Sequence, residues 1–497
     1  MTLFETIRTF IESARDPVLI EPGDDPIPIH PDSFALADRG AFVTIECWSA
    51  TRNLVRRVRS VEQERRGRLD LEVERFPRST GTLTIADLAH PASRDAGRRG
   101  SRLKYRERFR RALQRQLPHW RIAELSTEPD LHHTLSPSFP RAFLRKGSSG
   151  LAAIGAAEDS LSPEGALSFG IIWLDYLRQR ETRVSIGSLA IFVPPAAAAT
   201  TCHRVRYLDA SLAEYRVFVN GPSGQEDAVD PREYSNFDTR LDPLAAVPED
   251  SEIAAWVGRL SKIDGVERRD HAGAISLAVH GLEFARASGS DLRFGIDQHE
   301  TAGAANLGEI EELARGLRRM RSPSAPDLSN PLYARHPEAW LESQVRREIE
   351  QIDATLRRAP VYGQVPQFAG GERTVIDLLA VDRDARLAVI EIKADQDIHL
   401  PLQALDYWMR VKWHLDRGEF AGRGYFPGVE LARRTPRLFL VAPALDFHPS
   451  NEIVLRYISP ELKAERIGVG VEWRKELRVM FRVTSADHHG PSGFKPG

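Results

Sequence analysis

The stretch TVIDLLAVDRDARLAVIEIK (374–393) holds two apolar, β-branched runs, TVIDLLAV (374–381) and RLAVIEIK (386–393), around a short polar turn. It reads as a β-hairpin. Strand side chains alternate between faces, so Leu387, Val389, Glu391 and Lys393 share one face of the second run. Val375, Asp377, Leu379 and Val381 share a face of the first. A three-residue loop at 383–385 pairs Asp382 with Arg386 and, in the same register, sets Asp377 opposite Glu391. Cross-strand neighbours on one face lie roughly 5 Å apart. A loop one residue longer would put Asp377 opposite Ile390 instead.

Two carboxylates and an amine at one strand end suit hydrolysis of a phosphodiester. That reaction needs hard oxygen ligands for magnesium and a group that positions or activates water. Asp377 and Glu391 supply the ligands, with the backbone carbonyl of Ile392 between Glu391 and Lys393. Lys393 can act on the water and offset charge building on the phosphate. Alone, an E-x-K would read as a structural charge pair at a strand end.

The flanking sequence adds context. Before the hairpin, HPEAWLESQVRREIEQIDATLRRA (336–359) has an apolar stripe of Leu341, Val345, Ile349, Ile352 and Leu356 that predicts one amphipathic helix. After it, DIHLPLQALDYWMRVKWHLDRGEF (397–420) predicts another, with Pro401 in its first turn and Gln403 and Tyr407 four apart. A helical Glu, then Asp, E-x-K and Q-x-x-x-Y resembles the PD-(D/E)xK nuclease superfamily. The run VIDLLAVDRDARLAVIEIKADQDIHLPLQALDYW is similar to its NucS/EndoMS branch over about residues 335–420. No proline precedes Asp377, which departs from the superfamily's name.

The resemblance implies a restriction-endonuclease-like α/β domain, a mixed sheet flanked by helices, that hydrolyses DNA with Mg2+, or Mn2+ in its place. It implies Asp377 and Glu391 as metal ligands, Lys393 as the catalytic lysine, Gln403 and Tyr407 as supporting residues, and Glu342 as the helical acid. Glu338 and Glu348 remain alternatives for that acid. DNA repair and defence against foreign DNA are both open as settings. The rival expectation is a DNA-binding or scaffold protein whose nuclease fold is inactive or held off by a regulatory protein partner. A homodimer would pair two active sites.

At 497 residues the chain is too long for one core, and two to four domains are expected. The domain reading is an N-terminal recognition region over 1–320 (subdivided near 90), a linker at 321–331, a nuclease domain over 332–484 and a disordered tail at 485–497. Residues 1–90 are β-rich, with FVTIECW (42–48) and RLDLEVERF (68–76). PPAAAATT (194–201) and GPSGQEDAVDPREY (221–234) read as surface loops. No repeat of fixed period is evident. No apolar run of spanning length and no signal-peptide order occur, so no membrane partner and a cytoplasmic location are expected.

Cys47 and Cys202 read as free thiols. Only eight of the 68 basic residues are lysines, which makes Lys393 in an apolar strand conspicuous. Residues 94–115 hold ten basic and two acidic side chains, a net of +8 that suits a phosphate backbone. Arg98, Arg99, Arg102, Lys104, Arg106 and Arg110 are its candidate DNA contacts. Tyr105 and Phe109 within it either stack on bases or anchor the helix to a core.

Overall fold

The computed structural model describes residues 2–485, except 21–26, 31–33, 41, 49–52, 76–78, 131–132, 159, 161, 222–224, 245–251, 272, 290 and 370–371. The side chains of 53, 75, 79–80, 91–101, 103, 364, 366–369 and 372–374 also lie outside the description, and so does the expected tail beyond Ser485. The chain is mixed α/β with four sheets among the described residues.

The β-rich start forms an antiparallel seven-stranded sheet between Pro17 and Asp87. Leu69, Leu71 and Val73 turn inward from the strand Arg68–Arg75, as alternation with charged residues dictates. Both cysteines are free and buried. Apart from Thr239–Leu241, the strands of residues 91–320 divide between two sheets, one α/β and one a five-stranded antiparallel meander over Val266–Thr301.

In the first α/β unit, Arg121–Ser126, Arg141–Lys146 and Ser149–Gly155 run antiparallel in turn. The helix Ala166–Arg180 then crosses to Ser185–Val193, parallel to the third strand. The helix Pro195–Val205 leads to a further parallel strand, Glu214–Asn220, and Glu226–Val229 closes the edge antiparallel. The sequence PPAAAATT is therefore not a surface loop. Alanine favours helix and proline is tolerated in the first turn, so the prolines start the helix and Ala197, Ala198 and Thr201 are buried.

The second α/β unit repeats that order. Tyr362–Ala369, Glu372–Val381 and Leu387–Ile392 run antiparallel. The helix Leu400–Asp416 crosses to the parallel strand Arg437–Pro443, the helix Ser450–Arg456 to the parallel Ala464–Val469, and Val479–Thr484 closes the edge antiparallel. Thr239–Leu241, from before the meander, pairs with Tyr362–Ala369 as the opposite edge. The single helix expected over 336–359 is two, Pro337–Arg347 and Ile349–Ile352. All five residues of its apolar stripe are nonetheless buried.

The two units meet through equivalent segments. RYLDASL (206–212) and RYISPEL (456–462) each follow the second crossover helix of their unit. Asp209 N–H donates to Tyr457 O and Ser459 N–H to Tyr207 O, both at 2.8 Å, bridging Leu208 to Ile458. Such reciprocity is the signature of a two-fold contact. The LDY sequences at 174–176 and 405–407 lie on the two first crossover helices. Asp175 reaches Arg456 at 3.3 Å across the contact, and Asp406 holds Arg204 at 2.7 Å. One buried cluster takes in side chains of both units, from Phe143 and Ile154 to Leu405 and Leu440.

The stretch 321–331 carries one firm anchor. Arg321 is wholly buried, donates to the carbonyls of Leu332, Arg335 and His280, and lies 4.8 Å over the Trp340 ring. Gly281 seats the meander on the same helix. At φ +77° its backbone approaches Ala339 so closely that a β-carbon would lie 1.9 Å from the Ala339 oxygen.

Asp353 ties the helical segment to the sheet through Arg437 at 2.6 Å and Arg482 at 3.3 Å. Burial alone would raise its pKa, but the hydrogen bonds from Arg437 and Thr355 outweigh this and bring it down to about 2. A depressed carboxylate stabilises the fold above its ordinary pKa and loses that contribution as pH falls towards its folded value. Asp353→Asn should therefore cost about 1–2 kcal/mol at pH 7. It should also flatten the decline of urea-unfolding stability between about pH 4 and pH 2. An unchanged slope there would remove Asp353 as its source.

Candidate active site

The hairpin turns at Asp382, whose N–H donates to Arg386 O at 2.9 Å. Val381 pairs with Leu387 and Leu378 with Ile390, the register that sets Asp377 opposite Glu391. Ladder bonds fall on alternate pairs, so the next would join Ile392 N–H to the Ile376 carbonyl. The ladder stops short of it. Asp377 Oδ2 instead accepts the Ile392 N–H at 2.8 Å, which fixes the carboxylate where the strands part.

Leu387, Val389, Leu379 and Val381 face the core shared by the two units, while Ile390 and Ile392 face the helix Pro337–Arg347. Glu391 continues the first of these faces and is buried. Its Oε2 has no hydrogen-bond partner. Burial drives the Glu391 pKa well above the usual carboxylate range, and the neighbouring Asp377 adds to it. Asp377 keeps partial exposure, and burial pushes it up to about 7 against the opposing Ile392 hydrogen bond. Burial pulls Lys393 down, but Glu391, Glu338 and Asp377 together outweigh it and hold the amine above its usual value.

The helix Pro337–Arg347 supplies the remaining acids. Glu338 Oε1 stands 3.7 Å from Lys393 Nζ. Glu342 is buried and lines a cleft of about 260 Å3 with Glu338, Asp377, Asp395 and His336. Its Oε2 meets Arg269 Nη1 at 3.3 Å, and its Oε1 is buried without a partner. Arg346 is a further charge beside it. Glu348 instead ends the helix and pairs with Arg347, away from the cleft. On the crossover helix, Tyr407 is buried with Gln403 as its hydrogen-bond partner. Burial and the field of Glu391 raise the phenol's pKa.

Asp377, Glu391, Ile392, Lys393 and Glu342 thus come together at one strand end, with Tyr407 near Glu391 and Gln403 bonded to Tyr407. Arg269, Asp395 and Arg346 were not singled out in the sequence. Arg269 belongs to the meander strand Val266–His271, and no local pattern connects it with a helix over seventy residues on. Its neighbour Glu267 shares it at 3.3 Å.

The basic stretch forms the helix Pro91–Gln116. Phe109 is buried in the core beneath it, and Tyr105 Oη donates to Ala156 O at 2.6 Å, so both aromatics anchor the helix. The side chains of Arg98 and Arg99 lie outside the described residues. Arg102, Lys104 and Arg106 are half-buried, whereas Arg108, Arg110 and Arg111 are exposed.

No protein-family model matches the chain, and no curated protein resembles it in sequence. Among the described residues no three acidic, histidine or cysteine side chains enclose a metal by themselves. Magnesium does not require that, since it is commonly held by one or two carboxylates with water and substrate phosphate. The partnerless Glu391 Oε2 beside Asp377 fits such an ion.

Removing one member of a buried ion pair leaves an uncompensated charge and costs about 3–5 kcal/mol. Arg269→Ala should destabilise the chain by about that amount in urea unfolding, less whatever Arg346 restores. Adding Glu342→Gln should recover part of it, because the orphaned charge is gone. Strict additivity of the two changes would show that they are not coupled.

Proposed function

We propose that the chain is a magnesium-dependent endonuclease that hydrolyses DNA phosphodiester bonds at the Asp377–Glu391–Lys393 strand end. The observation that carries this reading is a buried carboxylate oxygen without a partner, on Glu391, beside a lysine and a second carboxylate, Asp377, that lines an open cleft. A fold has little reason to leave such a group unless something binds it. The resemblance to PD-(D/E)xK nucleases supports the same reading, with a restriction-endonuclease-like second unit.

Asp377 and Glu391, with the backbone of Ile392, would hold the ion, which supplies a Lewis acid for the phosphate and for water. Asp377 is already oriented by the Ile392 N–H. Lys393, steadied by Glu338, places a positive charge where the attacking water and the developing phosphate charge must sit. Buried Tyr407, held by Gln403, would lie within the field of Glu391 and help keep water from it. Glu342 completes the anionic cleft.

A second reading, a fold held off by a partner or by its own chain, gains from the Arg269 grip on Glu342. Faster cleavage by Arg269→Ala than by wild type would favour it.

Lys393→Ala should lower nicking of DNA by about 100-fold or more while changing the binding constant less than about threefold. Lys393→Arg should fail as well, because the planar guanidinium is bulkier than a compact amine. Asp377→Asn should lose turnover through weaker magnesium affinity, so raised magnesium or manganese restores part of it, unlike Lys393→Ala. Nicking rates of the three variants across a metal series decide this. Wild-type-like rates for Lys393→Ala would leave the binding-protein reading in front.

The exposed Arg108, Arg110 and Arg111 give the salt test. Their joint change to Gln should make the slope of log affinity against log salt shallower by about 2–3. An unchanged slope would make this face a solvated one.

A further inference from the structure

The two α/β units share one order of strands, one set of directions and a reciprocal contact, yet their strand ends differ completely. In the second unit the hairpin ends on Asp377, Glu391 and Lys393, and Asp377 lines a cleft there with Glu338 and Glu342. The equivalent hairpin of the first unit is RAFLRK (141–146) and SGLAAIG (149–155), and neither strand contains a carboxylate. Its end is also filled. A β-carbon on Gly155 would lie 2.9 Å from the Phe109 ring and 3.1 Å from Tyr105 Oη. Tyr105 Oη in turn donates to Ala156 O, and Asn220 Nδ2 donates to Tyr105 Oη at 3.3 Å. The helix that in the second unit borders the cleft with acids in the first unit plugs it with aromatics.

We propose that the chain is a fused dimer with one working site, and that it cuts one DNA strand per binding event as a single chain. This rests on the nuclease reading of the second unit. A symmetric pair of such units would present two sites and could cut both strands together. Here the two-fold contact that would build the pair is already made within the chain, through Leu208 and Ile458, Asp175 and Arg456, and Asp406 and Arg204. Among the described residues, the hairpin strands of the first unit bring no carboxylate to that end, and Phe109 and Tyr105 pack against it. The homodimer expected for double-strand cutting is thereby replaced by an internal partner that contributes cover and no chemistry.

The test is cleavage of supercoiled plasmid, in molar excess, by the full chain. Mn2+ calorimetry on wild type and on the double variant Asp377→Asn, Glu391→Gln accompanies it. Open-circular DNA should accumulate to most of the product before linear DNA appears, at a rate first order in chain. The double variant, with its fold checked by circular dichroism, should lose cleavage by about 1000-fold and lose the Mn2+ heat as well. Lys393→Ala, read the same way, is the second variant. Linear DNA from the outset, or a rate rising with the square of chain concentration, overturns the one-site proposal and leaves the nuclease reading standing. So does double-variant cleavage above about 1% of wild type, since it places a second site in the first unit. A chain that neither binds Mn2+ nor cuts any DNA overturns the nuclease reading and the strand-by-strand mode with it.

Discussion

Two carboxylates forced together at the end of a buried hairpin set the terms for everything around them. Opposite positions in an antiparallel pair leave Asp377 and Glu391 no way to avoid each other, and burial disfavours the charge on both. Each surrounding element answers that problem. Ile392 gives its N–H to Asp377 in place of a ladder bond, Lys393 follows two residues after Glu391, and the crossover helix presents a tyrosine. The answer is incomplete, because Glu391 Oε2 is left unpaired. Incomplete satisfaction of a buried acid is destabilising, so it persists where binding or chemistry uses it.

The same electrostatic problem extends one helix turn further and explains the inserted meander. Glu342, four residues after Glu338, brings another buried acid to the cleft, and the cations that act on it, Arg269 and Arg346, lie outside the hairpin. Arg269 comes from the meander to meet it, while Arg321 and Gly281 clamp the meander's edge onto Trp340 and Ala339. The insertion therefore acts on the acid-bearing helix itself. Its position between the two α/β units in sequence conceals this, since it folds as a separate sheet with its own core.

What could be read in the sequence follows from how local each feature is. The hairpin, its register and the shared face of Glu391 and Lys393 depend on a turn length and a period of two, all within twenty residues. Arg269, the edge strand Thr239–Leu241 and the reciprocal contact at Tyr207 and Tyr457 depend on residues between about 70 and 250 positions apart. No periodicity encodes them. The duplication lies chiefly in strand order and direction, because its echoes in sequence, LDY at 174–176 and 405–407 and RY at 206–207 and 456–457, are too short to stand out between hairpins as different as RAFLRK and TVIDLLAV. PPAAAATT reads as a loop because prolines signal a break without saying on which side of it a helix begins. The segment 336–359 reads as one helix because its apolar stripe continues through a change of direction at Glu348.

Retention of a unit without a site has a physical basis in the way the units cover one another. The first crossover helix of each packs against the second crossover helix of the other, so Ile171, Leu174, Leu405 and Val454 belong to one core. Either unit alone would expose the apolar outer faces of its own crossover helices to water. The lack of carboxylates on the first unit's hairpin carries no such penalty. With no cation to compensate them, buried carboxylates there would only raise the free energy of the fold, whereas Phe109 and Tyr105 fill the same strand end with apolar contact and a satisfied hydroxyl. Packing thus demands two units, and the proposed chemistry only one.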